Sequence, residues 1–388
     1  MEPCVFEIEL ENSFDFLSDE YRTLFEGSRA TAFQHPLWLD RLYRGLVPRR
    51  KAQPLIIAVR WSNDQRLAMI LPLVRRRYGL VRVIEFADLR TSDYAAPVCD
   101  EATFALIARD EAACARIRRA LQPCDFLRVQ KVRDDALPLH RLLGSVPASL
   151  MPTNAHAVPL YGPFDKWRVD NLEPSSRKEL DMRARRLSRR GTPQFSVSSS
   201  AESITTTFHH MRDYHLPRFQ DGNRKERDAM QKPLFFDHYL ELAIAGAAAG
   251  LCRTYTMSLD GRPIAGLFGL TDRGRFLTIL QGFDSAGYKN CSIGSLTFEA
   301  ALRDCIERGD TVFDFTIGDE PYKRFFGTQP TAMWAVSGPA SPLGALAGFV
   351  IRQLPWTTQM AKRIVNRKAF AERPLPVHAS RNAMAAER

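Results

Sequence analysis

Asn290, Ser292, Ile293, Gly294 and Ser295 stand just before Leu296, Phe298, Ala301, Leu302 and Ile306, apolar residues at the three- and four-residue spacing of one helix face. A helix beginning there opens with unpaired backbone N–H groups at the positive end of its dipole, beside side chains small enough to let a ligand approach. Such a place suits a phosphate or diphosphate, and the competing reading is that the serines simply cap the helix. Beyond Gly309, Thr311 to Phe315 reads as a buried strand carrying Asp314 between Phe313 and Phe315. A carboxylate in that position needs a partner or a function. Gly318, Asp319, Glu320 and Pro321 follow, then Tyr322 and Lys323 at the start of a short helix. Strand, turn, helix, strand and short helix form half of an α/β unit with a polar opening at its top.

Several spaced blocks then carry a family resemblance. They are FQHPLWL at Phe33 to Leu39, LPLVRRRYGLVRVIEFADLRTSDY at Leu71 to Tyr94, SSRKELDMRARRL at Ser175 to Leu187, FDSAGYKNCSIGSL at Phe283 to Leu296 and FDFTIGDEPYKRFFG at Phe313 to Gly327. In this order, over about residues 5 to 330, they resemble the CelD-like group of GNAT-type acyltransferases, named for cellulose biosynthesis and related to the FemAB peptidyltransferases. The resemblance implies an α/β (α+β) chain built as a tandem GNAT-like acyl-CoA N-acyltransferase fold with two mixed-sheet units. It also implies that the strand ending at Phe283 and the one at Thr311 splay apart to admit the pantetheine arm, with the diphosphate on the N–H groups of Ser292 to Ser295.

On that reading an acyl group, acetyl first, passes from coenzyme A to an amine or hydroxyl acceptor in exopolysaccharide or cell-envelope synthesis. Tyr322 stands where GNAT enzymes place a tyrosine for the departing thiolate, against the alternative of a tyrosine capping the core. Lys323 is assigned to the developing oxyanion or to an acceptor phosphate. Asp314 and Asp284 are the candidate bases, and for each the alternative is structural, pairing with Arg or capping a turn. Ser92, Asp93 and Tyr94 form a candidate wall of the acceptor cleft. Two other readings stand beside this one: a FemAB-like transferase using aminoacyl-tRNA, and a non-catalytic binding module of a polysaccharide synthesis system.

The elements that must position these residues recur. Strands are expected at Val5 to Leu10, Leu55 to Trp61, Leu67 to Arg76, Leu80 to Phe86 and Phe126 to Val132, with helices over Phe14 to Glu26, Pro36 to Leu46 and Phe104 to Leu121. Further on, Arg253 to Leu259, Pro263 to Thr271 and Phe276 to Gly282 give two successive hairpins ahead of the helix at Gly294, a repeat at an offset of about 190 residues. Thr205 to Gly250 is helical in its spacing, and the charged loop Asp221 to Lys232 either covers the cleft or is mobile. The proline-rich stretch Leu137 to Pro174 reads as a connector with one strand near Ala155 to Leu160, and Ala332 to Ser337 as the strand completing the second sheet. The units expected are 1–150, 151–338 and a C-terminal segment 339–388.

In Arg177 to Arg190 seven of fourteen residues are Lys or Arg, and Leu180 and Leu187 are one heptad apart. This is a helix with a narrow apolar seam and a cationic surface, either a solvated face or a collector of anions through Arg177, Lys178, Arg183 and Arg186. The anions would be cofactor phosphates or a phosphorylated or nucleotide-linked saccharide acceptor. The net charge of +10 and a pI near 9.4 favour polyanions in general. Without interleaved aromatics, nucleic acid other than the tRNA of the alternative is not expected.

Seven cysteines without CxxC spacing point to a reduced, cytoplasmic protein, and the sparse histidines predict no metal. Acidic residues at Glu2, Glu7, Glu9 and Glu11 argue against a signal peptide. Leu343 to Val365 mixes apolar positions with Arg352, Lys362 and Arg363, which suits packing across its own domain or peripheral contact with an inner-membrane surface. From Glu372 onward the composition reads as a disordered tail.

Overall fold

The computed structural model describes residues 5–144, 146–215, 229–346 and 348. Strands β1 (Phe6–Glu11), β2 (Gln53–Trp61), β3 (Leu67–Tyr78), β4 (Val81–Phe86) and β5 (Phe126–Arg133) come first, followed by β6 (Ala148–Leu150) and β7 (Ala155–Pro159). The second half supplies β8 (Pro193–Ser198), β9 (Cys252–Leu259), β10 (Arg262–Asp272), β11 (Arg275–Phe283), β12 (Val312–Ile317), β13 (Gln329–Thr331) and β14 (Met333–Pro339). Helices α1 (Asp19–Gly27), α2 (Pro36–Arg41), α3 (Glu101–Arg109) and α4 (Glu111–Ala120) belong to the first half. Then come α5 (Phe164–Asn171), α6 (Pro174–Ser188), α7 (Ala201–His215), α8 (Pro233–Ala248), α9 (Ile293–Glu307) and α10 (Pro321–Phe325).

Two seven-stranded sheets result, ordered β1-β2-β3-β4-β5-β14-β6 and β13-β7-β12-β11-β10-β9-β8. Each runs antiparallel through four strands and turns parallel once, at β4/β5 and at β11/β12. Both parallel joints follow a helical crossover, α3–α4 in one sheet and α9 in the other, as parallel pairing requires. Strand, hairpins, crossover helix and parallel strand thus occur twice, so the chain is a tandem of two mixed α/β units.

The closing strands are exchanged. β7, expected as a connector strand, pairs antiparallel with β12 of the second sheet. β14, expected to complete that second sheet, instead pairs antiparallel with β5 of the first. Each unit therefore finishes its sheet with a strand reached across the other, an order that local periodicity cannot report. Other differences are local. The single helix expected over Phe104 to Leu121 breaks at Asp110, which ends α3 and caps α4 through Oδ1 on the Ala113 N–H (2.9 Å). The helix expected from Phe14 waits for Ser18, whose side chain accepts from Tyr21 N–H. The expected 221–232 loop falls outside the described residues from 221 to 228, as do 349–365 of the amphipathic stretch and the whole tail.

Packing joins the units. The largest apolar cluster takes Tyr21, Phe33 and Trp38 from the first unit and Phe208, Tyr239 and Phe268 from the second. Two further clusters lie on the outer face of each sheet, around Phe104 and Ile117 and around Phe298 and Phe313. Side chains near the shared cluster are consequently placed against residues of the other unit.

Candidate active site

In the second sheet the parallel pairing of β11 with β12 lasts for three residue pairs, Arg275 with Val312, Phe276 with Phe313 and Leu277 with Asp314. Past Leu277 the strands part, and the link across the gap is a hydrogen bond from the Thr316 hydroxyl to the Thr278 carbonyl (3.2 Å). Thr316 takes a left-handed backbone (φ 58°), costly for a β-branched residue by about 1–3 kcal/mol, at the point where the β12–β7 register shifts. Ile279, Leu280 and Gln281, although on an inner strand, are only half-buried. The sheet has an open mouth here.

Beside the mouth α9 starts without a side-chain cap at Ser292, and its first turn holds no acidic residue. Among the described residues, the N–H groups of Ile293, Gly294 and Ser295 have no hydrogen-bond partner. The preceding turn bends through two left-handed residues, Asn290 (φ 67°) and Ser292 (φ 48°). It is held from above by α6, whose Arg183 and Arg186 both donate to the Asn290 carbonyl (2.5 and 2.8 Å) while Arg190 donates to that of Gly287 (2.9 Å). Arg183 is also paired with Glu179 (3.2 Å), which lines the same place, whereas Arg186 has no ion-pair partner among the described residues; a guanidinium at the positive end of a helix dipole repels that end, and an anion beside it relieves the conflict. A cleft of about 230 Å³ opens here, lined by Leu180, Arg183, Ser292, Ser295, Tyr322 and Phe325 among others. The Tyr322 ring forms its wall, stacked on Phe298 at 5.2 Å.

Gly294 has a different purpose from the one its size suggests. It is buried, and a Cβ there would come within 2.7 Å of the Phe283 ring, so the absent side chain makes room for Phe283 and not for a ligand. Gly294→Leu is expected to lower stability by about 1–3 kcal/mol, read from the denaturant midpoint without any ligand present.

The first unit has the same parts in a closed state. Its parallel pair β4/β5 also lasts three residue pairs. The following segment, however, turns back into the gap: Ala95 N–H bonds to the Lys131 carbonyl of β5 and Val98 bridges to Ile70 of β3. Tyr94, Ala95, Ala96 and Val98 are all buried. Its crossover helix α3 is capped by Asp100, Oδ1 accepting from Thr103 N–H at 2.9 Å, with Glu101 in the first turn. A carboxylate already occupies the anion position.

Asp314, Asp93, Tyr94 and Lys323 meet elsewhere, between the units. Asp314 is fully buried; its Oδ1 accepts from the Tyr94 hydroxyl (2.7 Å) and the Thr316 N–H (2.8 Å), its Oδ2 from Arg275 (2.9 Å) and Arg133 (3.3 Å). With both oxygens engaged by two guanidiniums, a phenol and an amide, this carboxylate is a structural anchor and not a base. Asp284 likewise caps its own turn, accepting from Gly287 N–H at 2.7 Å. Lys323 is buried, its ammonium bound to the carbonyls of Thr316 and Ile317 and to Glu320 (3.2, 2.9 and 3.0 Å), so it closes the end of β12 and is not free to hold an oxyanion or phosphate. Arg177 is turned toward α5, donating to the Val169 carbonyl, and Lys178 is exposed.

Asp93 differs from these. Its side chain keeps 27% of its exposure, 4.0 Å from the Lys131 ammonium. Burial pushes its carboxyl pKa up, against the opposing pull of Lys131, the Thr316 hydroxyl and Lys323. It therefore lies at the parting of β11 and β12, contributed by the other unit. Lys131, Arg133, Arg275 and Thr316 were not singled out from sequence, since one charged or hydroxyl residue on an alternating strand is indistinguishable from a solvated one.

A sheet split between parallel strands beside the start of a crossover helix, present once open with the helix uncapped and once closed with it capped, defines a tandem architecture of the GNAT type. The open copy carries the particular match: residues 174–324 match the family described as acetyltransferase (GNAT) domain. Among solved structures, FemX aligns with 85% of this chain and 97% of its own, at 11% identity and a TM-score of 0.56. A conserved protein of unknown function from Bacteroides thetaiotaomicron VPI-5482 aligns with 85% of this chain and 99% of its own, at 11% identity and a TM-score of 0.53. At such identity the likeness is one of fold. No curated protein matches the chain. Among the described residues no group of three His, Cys, Asp or Glu is arranged to hold a metal ion, and no helix is long and apolar enough to cross a membrane.

Proposed function

We propose that the protein is an acyl-CoA-dependent acyltransferase of the GNAT type, moving an acyl group, acetyl first, to an amine or hydroxyl acceptor. The carrying observation is the contrast between the units: the second has an open mouth beside an uncapped helix flanked by Arg183 and Arg186, and the first has both positions filled. The resemblance to the CelD-like group suggests a saccharide acceptor of cytoplasmic exopolysaccharide or envelope synthesis.

In this reading the donor's diphosphate rests on the N–H groups at 293–295 and its pantetheine arm follows Leu280 and Ile279 into the mouth. The acceptor enters from the first unit's side. As its nitrogen or oxygen bonds to the thioester carbon, Asp93 takes the acceptor's proton, a role for which a raised carboxyl pKa is favourable. The C–S bond breaks, and the sulfur receives a proton from the Tyr322 hydroxyl, which is refilled from solvent. Asp314 holds the two units at the spacing this geometry needs.

Thermal unfolding with free CoA, acetyl-CoA and longer acyl-CoAs tests the donor. A ligand binding only the native state adds about 2.7 kcal/mol at a hundredfold excess over its Kd, so a clear rise in melting temperature is expected. Arg183→Glu is expected to weaken that binding roughly tenfold or more, the loss of one charge-assisted hydrogen bond. No shift with millimolar CoA would remove the proposal. The exposed cations on and just after α6, Lys178, Arg185 and Arg189, favour a second reading with an aminoacyl-tRNA donor; stabilisation by charged tRNA and not by CoA would establish it instead.

A further inference from the structure

One end of the first sheet combines exposed leucines with cations that lack counter-charges. The β3–β4 hairpin turns at Gly79, and its tip leaves Leu80 76% and Tyr78 42% exposed. Just below the tip Arg77 faces Arg82 as a direct cross-strand pair, an arrangement that like charges disfavour. Arg82 is neutralised by Asp125 (2.9 Å), but Arg77 is exposed and has no ion-pair partner among the described residues. Arg75, next on the same face, donates only to the Gln122 carbonyl, and its Nε is buried unpaired.

Asp125 also ties a second segment to this end. Its carbonyl accepts from Ala340 N–H and its Oδ1 from the Ser341 hydroxyl (2.8 Å), and a methyl group at Gly344 would collide with its backbone oxygen. The helical turn 342–346 is thereby fixed beside the hairpin, with Leu343 and Leu346 39% and 62% exposed. Three leucines from two segments, far apart in the chain and joined through one carboxylate, project at the same end of the sheet.

We propose that this end of the first unit docks on an anionic lipid bilayer, Leu80, Leu343 and Leu346 entering the acyl boundary while Arg75 and Arg77 meet lipid phosphates. Apolar tips ringed by arginine fit a surface that is both negative and penetrable; a protein partner of matching charge would satisfy the arginines but leave the separate leucine tips without pockets. The inference is independent of the donor, because the mouth and its cleft belong to the second unit.

The test is co-sedimentation of the full chain with phosphatidylglycerol–phosphatidylcholine vesicles and with pure phosphatidylcholine vesicles. Binding to the anionic vesicles, weakened by salt, is expected. Arg77→Gln is expected to lower the partition coefficient roughly fivefold at low salt, and Leu80→Ser to reduce binding to both vesicle types. Both changes lie at exposed positions, and unchanged melting temperatures show that the fold persists. Wild-type levels of binding in Leu80→Ser and Arg77→Gln together would overturn the proposal, since contact would then come from other parts of the chain. So would equal affinity for neutral vesicles, or a wild-type dimer that Leu80→Ser dissociates, which would assign the patch to a second copy.

Discussion

Asp93→Asn melts higher than the parent protein at pH 7 and loses transfer activity by about 10²–10⁴-fold. The loss is the usual contribution of a positioned general base. The gain follows from linkage. Burial holds the Asp93 carboxyl pKa above its unfolded value, so its contribution to stability is complete below about pH 4 and is lost as pH rises through the folded value. At neutral pH the ionised carboxylate is a net cost, which the neutral amide removes. The advantage of the variant should therefore shrink as the pH falls toward the ordinary aspartate range. Melting curves from pH 4 to 8 beside a transfer assay decide the matter: a variant that melts lower at pH 7, or that transfers normally, contradicts the assignment. Gain of stability with loss of activity is the pattern of a group kept for chemistry.

Asp314→Ala has the largest structural effect, a loss of about 3–5 kcal/mol. The carboxylate is fully buried and joins Tyr94 and Arg133 of the first unit to Arg275 and Thr316 of the second. Removing it strands the Arg275 guanidinium and a buried phenol at the seam between the units, while Arg133 keeps its pair with Asp135 (2.7 Å). Asp314→Asn keeps the shape but not the charge and should fall between the variant and the parent. Denaturant midpoints give the measurement. If Asp314 were instead the base, Asp314→Asn would abolish transfer with little loss of stability, so paired stability and rate measurements separate the two roles.

Local order was legible in the residues. The hairpins of both units, the helix opening at 293 and the polar stretch after β12 all follow from periodicity and turn residues, and the bounds of the strands expected differ by a few residues at most, whereas the edge strands β6, β8 and β13 were not read. What local order could not show was which partner a strand finds. β7 and β14 are both short apolar runs after proline-rich connections, and nothing in either run tells which sheet it will join. The same limit applies to side chains. Asp314 was legible as a carboxylate in need of a partner, yet two of its partners, Tyr94 and Arg133, stand 220 and 181 positions away in the chain and meet it only in the folded seam between the units. Gly294 was legible as a small residue at a helix start and was read as room for a ligand, but its reason, the Phe283 ring, depends on packing. The closed first unit was likewise invisible: Asp100 before a helix is an ordinary cap until its equivalence to the uncapped Ser292 is seen.

Amide hydrogen exchange with and without CoA probes the start of α9 itself. Three N–H groups at the start of α9 have no partner of their own among the described residues, so their exchange should be fast in the free protein and slow when a diphosphate binds them. Slowed exchange is expected at residues 290–296 and unchanged exchange at 100–104, where Asp100 already caps the matching helix. Protection at 100–104, or no change at 290–296 in saturating CoA, would contradict the proposed donor site.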